Sequence, residues 1–344
     1  MSFSWLPTRW LTPRRGDRRG PQVAPPSSTF RPQLESLEDR WVPATFNLSG
    51  TILTINGTAA ADTFTYSAST VYGGGTLTTT YSFTMDDQTA SYDNTQVTQV
   101  FMLGMGGSDS AYIALNDTFT TPGSPNPQQL TFSVLTQAGG GYVYDSSGNA
   151  FMILSGIKNT FMTVGTNDGA TMYTTPGSSP SLFVSAGSYS YTTGNGEFHY
   201  VTGAPNVLGI AMGSGDAAYH YDGVGANTFV ASGNAYSYMT GTDNGQQFYN
   251  LAVGFNLNYG IATRGTSDTA ILYDSPGSDV LVSTPSTTYQ YGFPNGVFYY
   301  DQVMGFSKIS AYSFQGGLDN AYLMGGLVTV GGNYHVFFTG GGPR

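Results

Sequence analysis

An aspartate recurs along this chain at Asp168, Asp216, Asp268 and Asp319, at separations of 48, 52 and 51 residues. Other residues keep step with it. A Tyr-x-Tyr stands at Tyr189/Tyr191, Tyr236/Tyr238 and Tyr289/Tyr291, followed by Phe198, Phe248 and Phe298, then by Gly203, Gly254 and Gly305. A period near 50 residues means one supersecondary unit copied head to tail, which narrows the fold to a solenoid, a propeller or another array.

The residue types inside the units select strands. Beyond residue 40 the only Lys and Glu are Lys158, Lys308 and Glu197, so the usual surface helix formers are scarce. Short runs of Tyr, Phe, Thr and Val, broken by Gly, Asn, Asp, Ser and Pro, read as strands joined by turns. The 47 glycines raise the question of disorder, but 40% hydrophobic and 14% aromatic residues in periodic order point to a packed core. The expectation is an all-β chain.

The best-formed unit starts at Asp268, ends a strand in Tyr273-Asp274, turns through Gly277 and enters a second strand ending at Val282. The preceding copy does the same from Asp216 through Tyr221-Asp222 to Val230. A relative, Tyr144-Asp145, lies 29 residues before Tyr173, and the stretch from Asp319 to Arg344 is about half a unit. Each unit therefore reads as two coils of ~25 residues in a parallel β-helix, or β-solenoid. A β-propeller of about six blades is the alternative. Asp109 to Asp168 spans 59 residues, and such drift suits a stack better than a closed ring. The expected organisation is a leader (1–33), a short motif (34–45) and a repetitive β domain (46–344). That domain divides into an N-terminal cap with irregular coils and a loop bearing Pro122, Pro125 and Pro127 (46–135), the repeats (136–318) and a C-terminal half repeat (319–344).

Charge is divided unevenly. The first 40 residues hold seven Arg against four acids, and the rest hold four cations against 17 acids, so +3 and −13 sum to the net −10. An acidic body lacks the electrostatic footprint of a nucleic-acid binder. The absence of cysteine excludes disulfides, Cys-based zinc sites and thiol nucleophiles. No run approaches the ~20 apolar residues of a transmembrane helix.

Three patterns invite chemistry. Gly277-Ser278-Asp279-Val280-Leu281-Val282 fits half of a calcium-binding nonapeptide, with Asp279, Asp274 and Asp222 as candidate ligands. A calcium ladder needs such nonapeptides in tandem, so a turn aspartate bonding its own backbone is the preferred reading, and no cofactor is assigned. The Tyr-Asp pairs place carboxylates in rows, yet a catalytic pair occurs once whereas these recur, so no catalytic residue is assigned. His199 and His220 lie 21 residues apart without a clear third ligand and, with His335, are expected to be exposed singly. In the Tyr-x-Tyr stripes, Tyr236, Tyr238, Tyr289 and Tyr291 alternate onto one face of their strands. Exposed, they would form an aromatic platform for sugar rings; core filling is the expectation for any one of them.

Residues 31–44 read RPQLESLEDRWVPA, after a leader whose apolar pairs Trp5-Leu6 and Trp10-Leu11 are too short for a standard secretory signal. The core formed by Leu34, Glu35, Leu37, Glu38, Asp39 and Arg40, with Pro43 and Ala44 behind it, closely resembles the planctomycete-type N-terminal export motif. That resemblance implies export to the cell surface or exterior, with processing near Ala44, and implies no activity. The reading is an exported structural or adhesive repeat protein, acting on envelope polysaccharide or other surface proteins. The alternative is a carbohydrate-active β-helix enzyme or glycan-binding module.

Overall fold

In the computed structural model the described residues are 45–115, 118–119, 128–265, 267–325 and 328–338. The leader, the motif at 34–44 and the prolines at 122, 125 and 127 lie outside them. All described residues fall in the unit Trp41–Arg344. They form an all-β structure whose strands lie, one two-stranded ribbon apart, in a sheet of 14 strands (sheet A) and a sheet of 15 (sheet B). Both are built largely from parallel pairs. Among the described residues no helix is long and apolar enough to cross a membrane, which says nothing of a β-barrel.

The chain alternates between the sheets. From Asp168 it runs through Gly169–Tyr173 in sheet A, then an antiparallel trio in sheet B (Leu182–Ser185, Tyr189–Gly194, Glu197–Thr202), then Asn206–Ile210 in sheet A. From Asp216 it runs through Ala217–Tyr221 in sheet B, the trio Thr228–Ser232, Tyr236–Asp243 and Gln246–Val253 in sheet A, then Leu257–Ile261 in sheet B. From Asp268 the order is again Thr269–Tyr273 in A, the trio Val280–Ser283, Thr287–Gly292 and Tyr299–Met304 in B, and Lys308–Ser313 in A. Each unit thus makes three passes, single, triple, single, and starts on the sheet opposite its predecessor.

This differs from two coils per unit, which would return every unit to the same sheet. The residues that looked like a further coil are a hairpin folded into the plane of one sheet. Hairpin and coil strands share the same alternation and turn residues, so periodicity alone does not separate them. In the last unit the trio is replaced by one strand: Asn320–Leu323, Val328–Gly332 and His335–Phe338 are three single passes.

Register also corrects two repeat positions: Tyr189/Tyr191 and Tyr236/Tyr238 correspond to Thr287/Tyr289, so the third Tyr-x-Tyr is shifted by two residues. The cross-strand pairs Tyr191↔Tyr200, Tyr238↔Leu251 and Tyr289↔Gln302 align Phe198 with Tyr249 and Tyr300, at spacings of 51. The evenly spaced Phe248 and Phe298 are therefore slipped by one and two residues. Because the side-chain period of a strand is two, the one-residue slip changes faces: Phe248 is 3% exposed and Phe298 41%. Gly203, Gly254 and Gly305 do keep the 51-residue register, with φ of 90°, 79° and 81°. A Cβ at Gly203 or Gly305 would collide with the carbonyl of Val164 or Ala262 in the neighbouring pass, so this corner requires glycine.

Inward residues of the two sheets meet face to face. Phe183 (sheet B) and Phe229 (sheet A) are fully buried, and each ring lies against a glycine of the opposite sheet. A Cβ at Gly209 would stand 2.6 Å from Cδ1 of Phe183, and one at Gly260 would stand 2.6 Å from Cδ1 of Phe229. In the next unit the same positions hold Leu281 and Ala311, a smaller knob facing a shallower hole. Ring and glycine are thus one packing element, alternating between sheets with the repeat.

Candidate functional site

The repeat aspartates join neighbouring passes. Each sits just before a single strand, and one carboxylate oxygen accepts the backbone N–H that precedes the first strand of a trio. The pairs are Asp109 with Asp62 N (2.8 Å), Asp168 with Phe132 N (2.6 Å), Asp216 with Ser181 N (2.8 Å), Asp268 with Asn227 N (2.8 Å) and Asp319 with Asp279 N (2.8 Å). All five aspartates are at most 1% exposed. Burial pushes the carboxyls of Asp109 and Asp168 above their ordinary range, against the pull of these N–H donors.

The turn-aspartate reading holds only in part. Asp279 does bond its own turn, accepting the Ser275 N–H and Oγ–H at 2.8 Å each. Asp222 instead accepts three successive N–H groups of another turn, from Thr263 (2.9 Å), Arg264 (2.6 Å) and Gly265 (3.0 Å). Asp274 likewise accepts from Gln315 N at 2.7 Å through Oδ2, while its Oδ1 is buried without a hydrogen-bond partner. Among the described residues, Asp274, Asp279 and Asp319 are the group of three whose carboxylate oxygens lie close enough to share a metal, all within 4.8 Å of one another. Two of the three candidates from the sequence are brought together; Asp222 is not with them, and Asp319 takes its place. Asp319 was visible only as the first residue of a unit, since its approach to Asp279 depends on which passes are adjacent.

The interior carries further polar groups. His199 and His220 are fully buried rather than exposed, while His335 is exposed. His199 Nδ1 lies 3.0 Å from Thr160 Oγ1, and its Nε2 lies 3.4 Å from Glu197 Oε2. His220 lies between Ser185 Oγ (2.8 Å) and Ser237 Oγ (3.0 Å), and burial lowers its pKa to about 3, so it is neutral. Ser237 donates to Asn258 Oδ1 (2.8 Å), whose Nδ2 donates to Asp301 Oδ1 (2.8 Å). Burial, with a smaller push from Asp279, raises the Asp301 carboxyl well above its ordinary value. These groups bond one another inside the protein, although Oδ2 of Asp301 is buried without a hydrogen-bond partner.

The outer faces differ between the sheets. On sheet B one register row runs Tyr112, Phe161, Tyr200, Tyr191, Val184, Tyr219, Tyr259, Gln302, Tyr289, Val282, Tyr322, Phe337. Neighbouring rings along it stack, as in Tyr112–Phe161 (4.7 Å, 6°), Tyr219–Tyr259 (4.4 Å, 9°) and Tyr322–Phe337 (5.1 Å, 16°). The matching row of sheet A has fewer rings and more aliphatic residues, running Ile153, Tyr142, Leu135, Thr171, Leu208, Leu251, Tyr238, Val230 and Ile271.

The Tyr-x-Tyr residues stand outward, not in the core: Tyr189 is 36% and Tyr236 38% exposed, whereas the residues between the tyrosines, Ser190, Ser237 and Gln290, are buried. Tyr289 and Tyr291 belong to the aromatic face of sheet B, and Tyr236 and Tyr238 to sheet A, where they stack beside Tyr249. Tyr249 also borders two shallow grooves of sheet A, lined by residues such as Ser133, Asn206, Thr228 and Gln247 and by no carboxylate. Comparison with family models, curated proteins and solved structures gives no match for this chain.

Proposed function

We propose that this is an exported cell-surface or extracellular protein of structural and adhesive function, whose body is a two-sheet β-solenoid and whose contact face is the outer aromatic face of sheet B. The observation that carries the reading is the register row from Tyr112 to Phe337, aromatic at every position but Val184, Gln302 and Val282, with stacked pairs along it. Partly exposed tyrosines offer flat apolar surface and a hydroxyl at one edge, which suits the faces of sugar rings. An envelope polysaccharide matches a face that repeats at the spacing of strands, about 4.8 Å.

Two continuous sheets entered alternately support a solenoid over a six-bladed propeller, which would divide the strands among separate small sheets. The resemblance of residues 34–44 to an export motif supports surface placement. A face whose aromatic positions recur from pass to pass supports binding rather than glycoside chemistry, which needs a single pair of carboxylates. Envelope fractionation with protease shaving of intact cells tests the proposal. Shaved fragments from residues 45–338 are the expected result, and recovery in the cytoplasm alone would overturn it.

A further inference from the structure

We propose that Asp274, Asp279 and Asp319 hold a divalent cation of the calcium class, which ties the turn after Thr269–Tyr273 to the turn after Lys308–Ser313. The three residues are at most 1% exposed, and their carboxylate oxygens lie within 4.8 Å of one another. Two oxygens bound to one calcium at about 2.4 Å stand no farther apart than about 4.8 Å. Among the described residues the charged contacts are Arg264–Asp243 and His199–Glu197, so no side-chain cation answers this group. Buried carboxylates without a counter-charge are costly unless something neutralises them.

A second observation is the free oxygen. Oδ1 of Asp274 is sealed from solvent and has no hydrogen-bond partner, although Oδ2 is engaged by Gln315 N. The Asp274 carboxylate belongs to the cluster, and this oxygen of it is an unused hard donor. Asp279 and Asp319 are meanwhile held in place by Ser275, Tyr299 and Ser313.

The preceding unit shows what belongs in this space. There Asn227 stands where Asp279 stands, and Asp268 where Asp319 stands. Asn227 Nδ2 donates to Asp268 Oδ1 (2.9 Å), to the Gly225 carbonyl (2.6 Å) and to the Gly223 carbonyl (3.0 Å). One amide thus supplies positive hydrogens to a carboxylate and two turn carbonyls. In the unit that opens at Asp268 the residue at that position is Asp279, whose carboxylate offers only acceptors. A cation would do there what the Asn227 amide does one unit earlier, and the carbonyls of Ser275 and Gly277, equivalent to those of Gly223 and Gly225, would supply neutral oxygens. The turns are already in contact: a Cβ at Gly317 would collide with the Gly277 carbonyl. An all-oxygen, buried site of carboxylates and turn carbonyls favours Ca²⁺ over Mg²⁺, which keeps its water shell.

The test is thermal unfolding of the full chain after EDTA dialysis, titrated with Ca²⁺, together with Tb³⁺ luminescence sensitised by Tyr299. The expected result is a saturable rise in Tm and Tb³⁺ emission that Ca²⁺ displaces. Asp274→Asn, which retains an acceptor for Gln315, should weaken Ca²⁺ binding at least tenfold. Asp279→Asn should recreate the Asn227 arrangement, so that it folds without Ca²⁺ and its Tm no longer responds to the ion. No saturable shift in the wild-type chain, or a shift that persists unchanged in Asp274→Asn, would overturn the proposal.

Discussion

The ring of Phe229 fills the space that a side chain on Gly260 would need: a Cβ there would lie 2.6 Å from Cδ1 of the ring. Phe183 and Gly209 repeat the relationship with the sheets exchanged. The two sheets are therefore held together by the same large-on-small contact in successive units.

Gly260→Ala should destabilise the fold by about 1–3 kcal/mol, the usual range for overpacking a filled core. Gly209→Ala should do the same. Leu281→Phe should be destabilising against Ala311, and the double variant with Ala311→Gly should recover most of the loss. Urea unfolding of the single and double variants checks this; additive losses in the double variant would mean that the pair does not interact.

Asp268→Ala removes the acceptor for both the Asn227 N–H and its Nδ2–H in a buried site. A loss of about 2–4 kcal/mol is expected, since two buried donors lose their shared partner. Asp145→Ala, at an exposed turn whose carboxylate bonds Ser147 and Asn149, should cost under about 1 kcal/mol. Equal losses at the two positions, read by thermal or denaturant unfolding, would show that the aspartates act only within their own turns.

The buried carboxyls set a pH dependence. Burial, then the charge of Asp279, raises the pKa of Asp301; burial, and further the charge of Asp319, raises that of Asp279. A carboxyl with a folded pKa above its unfolded value near 3.9 holds its proton more tightly in the folded chain. Its contribution is therefore greatest below about pH 4 and declines as pH rises through the window up to the raised value. In EDTA, Asp301→Asn should lessen the decline of Tm between pH 4 and pH 8 relative to the wild-type chain. An identical decline in the variant would show that Asp301 is not titrating in this window.

Much of the strand content and repeat length could be read from Asp168, Asp216, Asp268 and Asp319, because turn chemistry and strand composition are local. The number of passes per unit could not. A hairpin such as Tyr189–Gly194 with Glu197–Thr202 uses the same alternation and turn residues as strands that change sheets. Phe248 and Phe298 were aligned by spacing alone, whereas the hydrogen-bond register that places Tyr249 and Tyr300 opposite is a tertiary fact. The outward position of Tyr236 and Tyr289 was hidden for a related reason. The inward residues beside them, Ser237 and Gln290, are polar and buried in a hydrogen-bonded interior, so hydrophobicity pointed to the wrong face. Asp279 was legible as a candidate ligand, but its neighbour Asp319 lies 40 residues away and meets it only across adjacent passes.

The aromatic face of sheet B is the centre of the functional account, and co-sedimentation of the full chain with insoluble envelope polysaccharide tests it most directly. Tyr219→Ala with Tyr259→Ala removes one stacked pair from that face. The double variant should stay folded by circular dichroism and lose binding at least tenfold, while Tyr236→Ala with Tyr238→Ala on sheet A should bind as the wild-type chain does. Binding unchanged by loss of the sheet B pair, or no binding by the wild-type chain, would contradict the account.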